Sequence, residues 1–119
     1  MLSPKDIFKR VSAHLLAQLA VSEDDNGSCR LRGPEGRKCA IGSLVRDDVY
    51  EADLEGVGIS YYRHAHDGKL LRALYASNVN AYDASIIDLL IELEQIHDDA
   101  GVEEWPHLLE VLGKRHAFV

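Results

Sequence analysis

The chain has 119 residues, 46% of them hydrophobic and 28% charged, with a formal net charge of −7. That length suits a single domain spanning residues 1–119, able to bury roughly two thirds of its unfolded surface, and the composition lies far from that of disordered chains. The acidic balance argues against general nucleic-acid binding, because each phosphate contact needs a cation. Membrane insertion is also excluded: the most apolar window, Ile86 to Ile96, is interrupted by Asp88, Glu92 and Glu94, well short of the ~18 apolar residues a span requires.

Met1 to Asp6 lacks the cationic segment, apolar core and small-residue cleavage site of a signal peptide, so a cytoplasmic location is expected. In that reducing compartment Cys29 and Cys39 should be thiols, although a bridge between them stays open as an alternative.

Ser3-Pro4 followed by Asp6 is a helix start, with serine as cap, proline at the first helical position and a carboxylate at the positive end of the dipole. Ile7, Phe8, Val11, Leu15 and Leu19 recur at helical spacing and predict an amphipathic helix over residues 4–20. A polar turn-rich loop runs from Ser22 to Ser28. Residues 28–40 then alternate around Gly33-Pro-Glu-Gly36 and predict a β-hairpin, with Cys29 and Leu31 facing inward and Arg30 and Arg32 outward. Ala40 to Val45 is expected to start a short helix that would place Cys39 at its N-terminus, and Val49 to Glu55 a helical turn. Between Ile59 and Asn80 the pattern is mixed: Ile59 to Tyr62 is β-prone, whereas Leu70, Leu71, Leu74 and Tyr75 have helical spacing. Asp83 to Asp98 is apolar around more than one face and should be the central helix, with a polar stripe of Asp88, Glu92, Gln95 and Asp99. A last helix carries Trp105, Leu108, Leu109 and Leu112 on one side. The expected class is therefore α+β and mostly helical: an N-terminal helix, one hairpin, then a small helical bundle with two long C-terminal helices.

Four cations, Arg30, Arg32, Arg37 and Lys38, against one anion give residues 28–39 a local charge of +3 and leave −10 on the rest of the chain. They are the candidate binding residues, forming an anion-binding finger for phosphate, carboxylate or an acidic patch, while self-pairing with the acidic helices is the structural alternative.

The strings Gly27-Ser-Cys-Arg-Leu-Arg-Gly33, Gly36-Arg-Lys-Cys-Ala-Ile-Gly-Ser-Leu-Val45, Asp47-Asp-Val-Tyr50 and Leu54-Glu-Gly56 resemble a family of small uncharacterised proteins of bacteria and their phages. Members also carry a leucine-rich helix ending in a His-Asp pair and a tryptophan-containing helix, here Leu89 to Leu93 with His97-Asp98, and Trp105 to Leu112. The resemblance implies a stand-alone domain. It implies no activity, substrate or cofactor.

Two chemistries can be written on these residues. Cys39, with Lys38 beside it, could serve as a nucleophile with His97 as base, in the manner of a cysteine-dependent amidase or thioesterase. Adjacent residues on a helix point ~100° apart, so Asp98 should be poorly placed to orient the His97 ring. Cys29, Cys39, His64 and His66 could be grouped as zinc ligands, but the cysteines are ten positions apart, which suits a structural zinc site badly. The balance favours no metal and no cofactor, and a non-enzymatic, acidic accessory factor of phage or bacterial origin that modulates a host protein through protein contacts. Its acidic face (Asp88, Glu92, Asp99) would meet a basic partner surface and the cationic finger an acidic one, with self-association as a homo-oligomer the alternative.

Overall fold

Four helices enclose the core: α1 (Pro4–Gln18), α2 (Lys69–Ala76), α3 (Ala84–Asp99) and α4 (Trp105–Arg115), with short 3-10 turns at 34–36, 52–54, 59–63 and 102–104. The structure is a computed structural model that describes residues 1–119. No helix is long and apolar enough to cross a membrane.

A capping box starts α1, in which the Ser3 hydroxyl accepts from the Asp6 N–H at 3.1 Å and the Asp6 carboxylate from the Ser3 N–H at 3.3 Å. The helix closes at Leu19, which takes a left-handed φ of 46° and donates its N–H to Leu15. Ile7, Phe8, Val11 and Leu15 form its buried stripe. Asp83 caps α3, accepting from the Ser85 N–H at 2.8 Å and the Ile86 N–H at 3.3 Å. Because α3 is apolar around most of its circumference, it is buried between α1, α4 and the 59–63 turn. Trp105, fully buried, opens α4, and Gly113 near its end lets the Phe8 ring pack against the backbone, where a side chain would collide.

The expected β-hairpin over 28–40 does not exist, and the fold is helical without a sheet. One isolated antiparallel bridge, Glu23 to Cys29, is its only β feature. The physical reason lies in where the backbone groups of the two limbs go. Leu31 and Arg32 donate their N–H groups to the Glu55 carboxylate at 2.8 and 3.0 Å. Arg30 pairs with Ser22 instead, donating to its carbonyl at 3.0 Å and accepting from its hydroxyl at 2.6 Å. On the other limb, Lys38 donates to the Gln18 side chain at 2.9 Å, and its carbonyl binds Gln18 and His14 of α1. Each limb is thus tied outward, and only Gly33 to Arg37 close on one another, through a 2.8 Å bond across a turn in which Glu35 and Gly36 have φ of 60° and 75°. Residues 22–47 make an irregular clasp laid over the C-terminal half of α3.

Two further expectations change. Ala40 to Val45 is a series of turns rather than a helix, so Cys39 sits at no helix N-terminus. Ile59 to Arg63 is a 3-10 turn that packs on α3, not a strand.

Candidate functional site: a buried acid and two thiols beneath the clasp

Glu94, His97 and Asp98 lie at spacings of three and four on α3, so their side chains leave the helix on one face. Glu94 and His97 are 7% and 2% exposed, and a buried carboxyl needs partners to be tolerated. The clasp supplies them. One carboxyl oxygen accepts the Cys29 thiol proton at 2.8 Å and the other the Ile41 N–H at 3.1 Å. Burial, and then the negative charge of Asp98, push the Glu94 carboxyl above the usual carboxylate range, against the opposing pull of Cys29, His97 and Ile41.

His97 is fixed by its neighbours. The Ser22 backbone N–H can only donate, so Nε2, at 2.9 Å, is the acceptor, and Nδ1 carries the proton given to Asp98 at 2.7 Å. Asp98 therefore does orient the ring, against the expectation from helix geometry. The imidazole packs against Trp105 with ring centres 5.7 Å apart.

The two cysteines share this floor. The Cys29 thiol lies between Glu94 and Cys39, and Cys39 accepts the Gly42 N–H at 3.3 Å. Hydrogen bonding to Cys39, burial and the charge of Glu94 all raise the Cys29 thiol far above its ordinary value. For Cys39 the hydrogen bond from Cys29 pulls down, yet burial and Glu94 leave the thiol raised. A pocket of about 360 Å³ opens above them, its other wall apolar through Leu31, Leu54, Val57 and Ile59.

The sequence-derived candidates distribute as follows. Cys39 and His97 make no bond to each other: both imidazole nitrogens are engaged by Ser22 and Asp98, and Cys39 is 1% exposed. Cys29 and Cys39 come together, but His64 and His66 are exposed beyond the 59–63 turn and share no ligand cluster with them. Donor atoms of Cys29, Glu94, His97 and Asp98 do lie within 4.8 Å of one another. This set fits a metal poorly, since the His97 lone pair is already taken by the Ser22 N–H, and binding through Nδ1 would set two N–H groups face to face.

All four finger cations have internal partners. Arg32 is the anchor: its guanidinium donates to the carbonyls of Gly42 and Val45 at 2.6 and 2.8 Å and to Asp47 at 2.9 Å, and stacks over Tyr50. Arg30 faces Glu55 at 3.6 Å, Arg37 pairs with Glu35 at 3.1 Å, and Lys38 with Asp47 at 3.6 Å. Glu55, Ser22 and Glu94, which organise the clasp, were not among the sequence candidates. Glu94 carried a signal, because it interrupts the apolar face set by Ile87, Leu90 and Ile91.

On the side of α3 away from the clasp, an open groove of about 590 Å³ runs between α3 and α4. Ile96, Leu108 and Val111 floor it, and Glu92, Asp99 and Glu104 edge it. Arg115 and His116 hold Glu92, whereas Asp99 and Glu104 have no cationic partner.

Comparison with protein-family models, curated proteins and solved structures finds no match to this chain.

Proposed function

We propose that this is a binding protein whose α3–α4 groove takes a cationic amphipathic segment of a partner protein. The observation that carries it is the groove itself: an apolar floor, with Val111 47% exposed, beside two carboxylates that nothing in the molecule neutralises. Apolar burial would supply attraction, and the acidic edge on a protein of charge −7 would select and steer a basic partner. Between Glu92 and Asp99 the groove covers two helical turns, about 10 Å, which suits a short helix offering apolar residues at i, i+3 and i+4 with a lysine or arginine toward Asp99 and Glu104. The opposite side of α3 is held by the clasp, so the groove face is presented by a fixed helix. Hydrolysis by Cys39 finds no comparable support, since its thiol is buried and His97, the base that reading requires, is engaged by Ser22 and Asp98.

The test uses two fluorescent synthetic helices with one apolar face of leucines, one flanked by lysines and the other by glutamates. Anisotropy at low and high salt should show binding of the lysine peptide alone, weakening as salt rises. Val111→Asp should abolish it, and Asp99→Asn with Glu104→Gln should weaken it and flatten its salt dependence. Equal binding of both peptides, or indifference to Val111→Asp, would refute the proposal. Light scattering of the protein alone separates the remaining case, because a salt-sensitive doubling of mass would make the occupant a second copy.

A further inference from the structure

The thiol pair and Glu94 lie on the other side of α3 from the groove and play no part in it. We propose that Cys29 and Cys39 form a thiol–disulfide exchange site, with Glu94 as proton acceptor and a small neutral or cationic disulfide as substrate. Cys29 is exposed at the pocket mouth and Cys39 is 1% exposed behind it. That asymmetry assigns the roles: an incoming disulfide reaches only the outer sulfur, and the inner sulfur reaches only Cys29. The clasp keeps them adjacent, since the Ser22 hydroxyl and carbonyl grip Arg30 on one limb while Gln18 grips Lys38 on the other.

Both thiols hold their protons more firmly than a free cysteine does, so exchange here needs a base. Glu94 is in contact at 2.8 Å, and its carboxyl, raised by burial, is a stronger base than an exposed glutamate is. In the first step the Cys29 S–H proton passes to the Glu94 carboxylate and the thiolate attacks one sulfur of the substrate. The substrate S–S bond breaks, a Cys29 mixed disulfide forms, and the departing thiolate takes the proton from Glu94. In the second step Cys39 gives its proton to Glu94 and attacks the Cys29 sulfur. The mixed disulfide breaks, a Cys29–Cys39 disulfide forms, and the second product thiolate leaves with that proton. The protein loses two electrons and the substrate disulfide gains them; a second dithiol, small or protein-borne, would reset the pair by the reverse steps.

The pocket sets the substrate class. Its volume of about 360 Å³ suits a small molecule, its far wall is apolar, and Asp24, Glu55 and Asp98 give its lining a negative character that disfavours anionic disulfides.

The probe is dipyridyl disulfide, which is neutral, with the dianionic nitrobenzoate disulfide as comparison. Folded wild-type protein should release two thiones, retain no adduct and end two mass units lighter. Cys39→Ser should release one and keep a stable adduct on Cys29, and the dianion should react more slowly with the folded protein than its rate on free cysteine predicts. Glu94→Gln, which keeps the shape of the carboxyl, should slow the first release by roughly 100-fold, a loss typical of removing a general base. If Cys39→Ser does not fold, a linked Cys29–Cys39 peptide in the digest of the oxidised wild type answers the same question. Two retained adducts, release only in denaturant, or a Glu94→Gln protein reacting at the wild-type rate would overturn the proposal.

Discussion

Ser22 donates its backbone N–H to Nε2 of His97 at 2.9 Å, joining positions 75 residues apart inside the protein. This bond fixes the histidine tautomer, aims Nδ1 at Asp98 and ties the start of the clasp to the end of α3. It makes His97 a structural residue first.

His97→Ala should therefore destabilise the fold. The substitution leaves the buried Ser22 N–H without an acceptor and opens a hole beside Trp105. An orphaned buried donor and a core cavity together argue for a loss of about 3 kcal/mol. Urea unfolding followed by the emission of Trp105, the only tryptophan, reports both the lower midpoint and any opening of the core. A change below about 1 kcal/mol would mean the clasp holds without this bond.

Arg32 and Arg37 should differ sharply, although both belong to one cationic stretch. Arg32 satisfies two carbonyls and Asp47 with one planar group, a geometry lysine cannot copy. Arg32→Lys should cost about 2 kcal/mol, whereas Arg37→Ala, which removes only a pair with the exposed Glu35, should stay within about 0.5 kcal/mol. Equal effects in chemical denaturation would show that the clasp carbonyls do not depend on Arg32.

How far the sequence disclosed this fold depends on how local each cause is. The start of α1 could be seen in Ser3, Pro4 and Asp6 because a cap is made by residues three apart, and α3 in its run of isoleucines and leucines because burial all around leaves a compositional trace. Residues 28–40 misled for the opposite reason. Their alternation and turn residues are those of a hairpin, but the partners that claim their N–H groups, Gln18, Ser22 and Glu55, come from elsewhere in the chain and have no signature near residue 30. The site was legible only in part: the sequence left a bridge between the two cysteines open, while the pairing of Cys29 with Glu94 spans 65 residues.

Gly42→Ala should be among the most damaging single changes. A Cβ there would run into the Leu31 carbonyl, which is backbone and cannot swing aside. The same glycine donates its N–H to Cys39 and accepts from the Arg32 guanidinium at its carbonyl, so a shift would disturb both. We expect a loss of about 3 kcal/mol or failure to fold. Gly27→Ala is the control: it shares the clasp, carries a positive φ and has open space around it, so strain alone should cost about 1 kcal/mol. Thermal melts of the two variants separate collision from strain.

Glu94 should leave a mark on the pH dependence of stability. Its folded pKa lies above the ordinary 4.5, so between 4.5 and the folded value the native state keeps a proton that the unfolded chain has released. Stability then falls as pH rises through that window and is level on either side of it. Asp6 and Asp83, lowered by hydrogen bonds from Ser3 and Ser85, act with the opposite sign: their contribution is present above 3.8 and lost as pH falls. The groups that face Glu94 are Cys29 and Cys39 from the clasp and His97 and Asp98 from α3. Glu94→Gln removes the titration while keeping an acceptor for the Ile41 N–H. In urea titrations from pH 4 to 8, the stability of the variant relative to wild type should therefore rise with pH above 4.5. A difference that stayed constant over that range would mean Glu94 titrates alike in the folded and unfolded chains, and that its burial beneath the clasp costs the ionised form nothing.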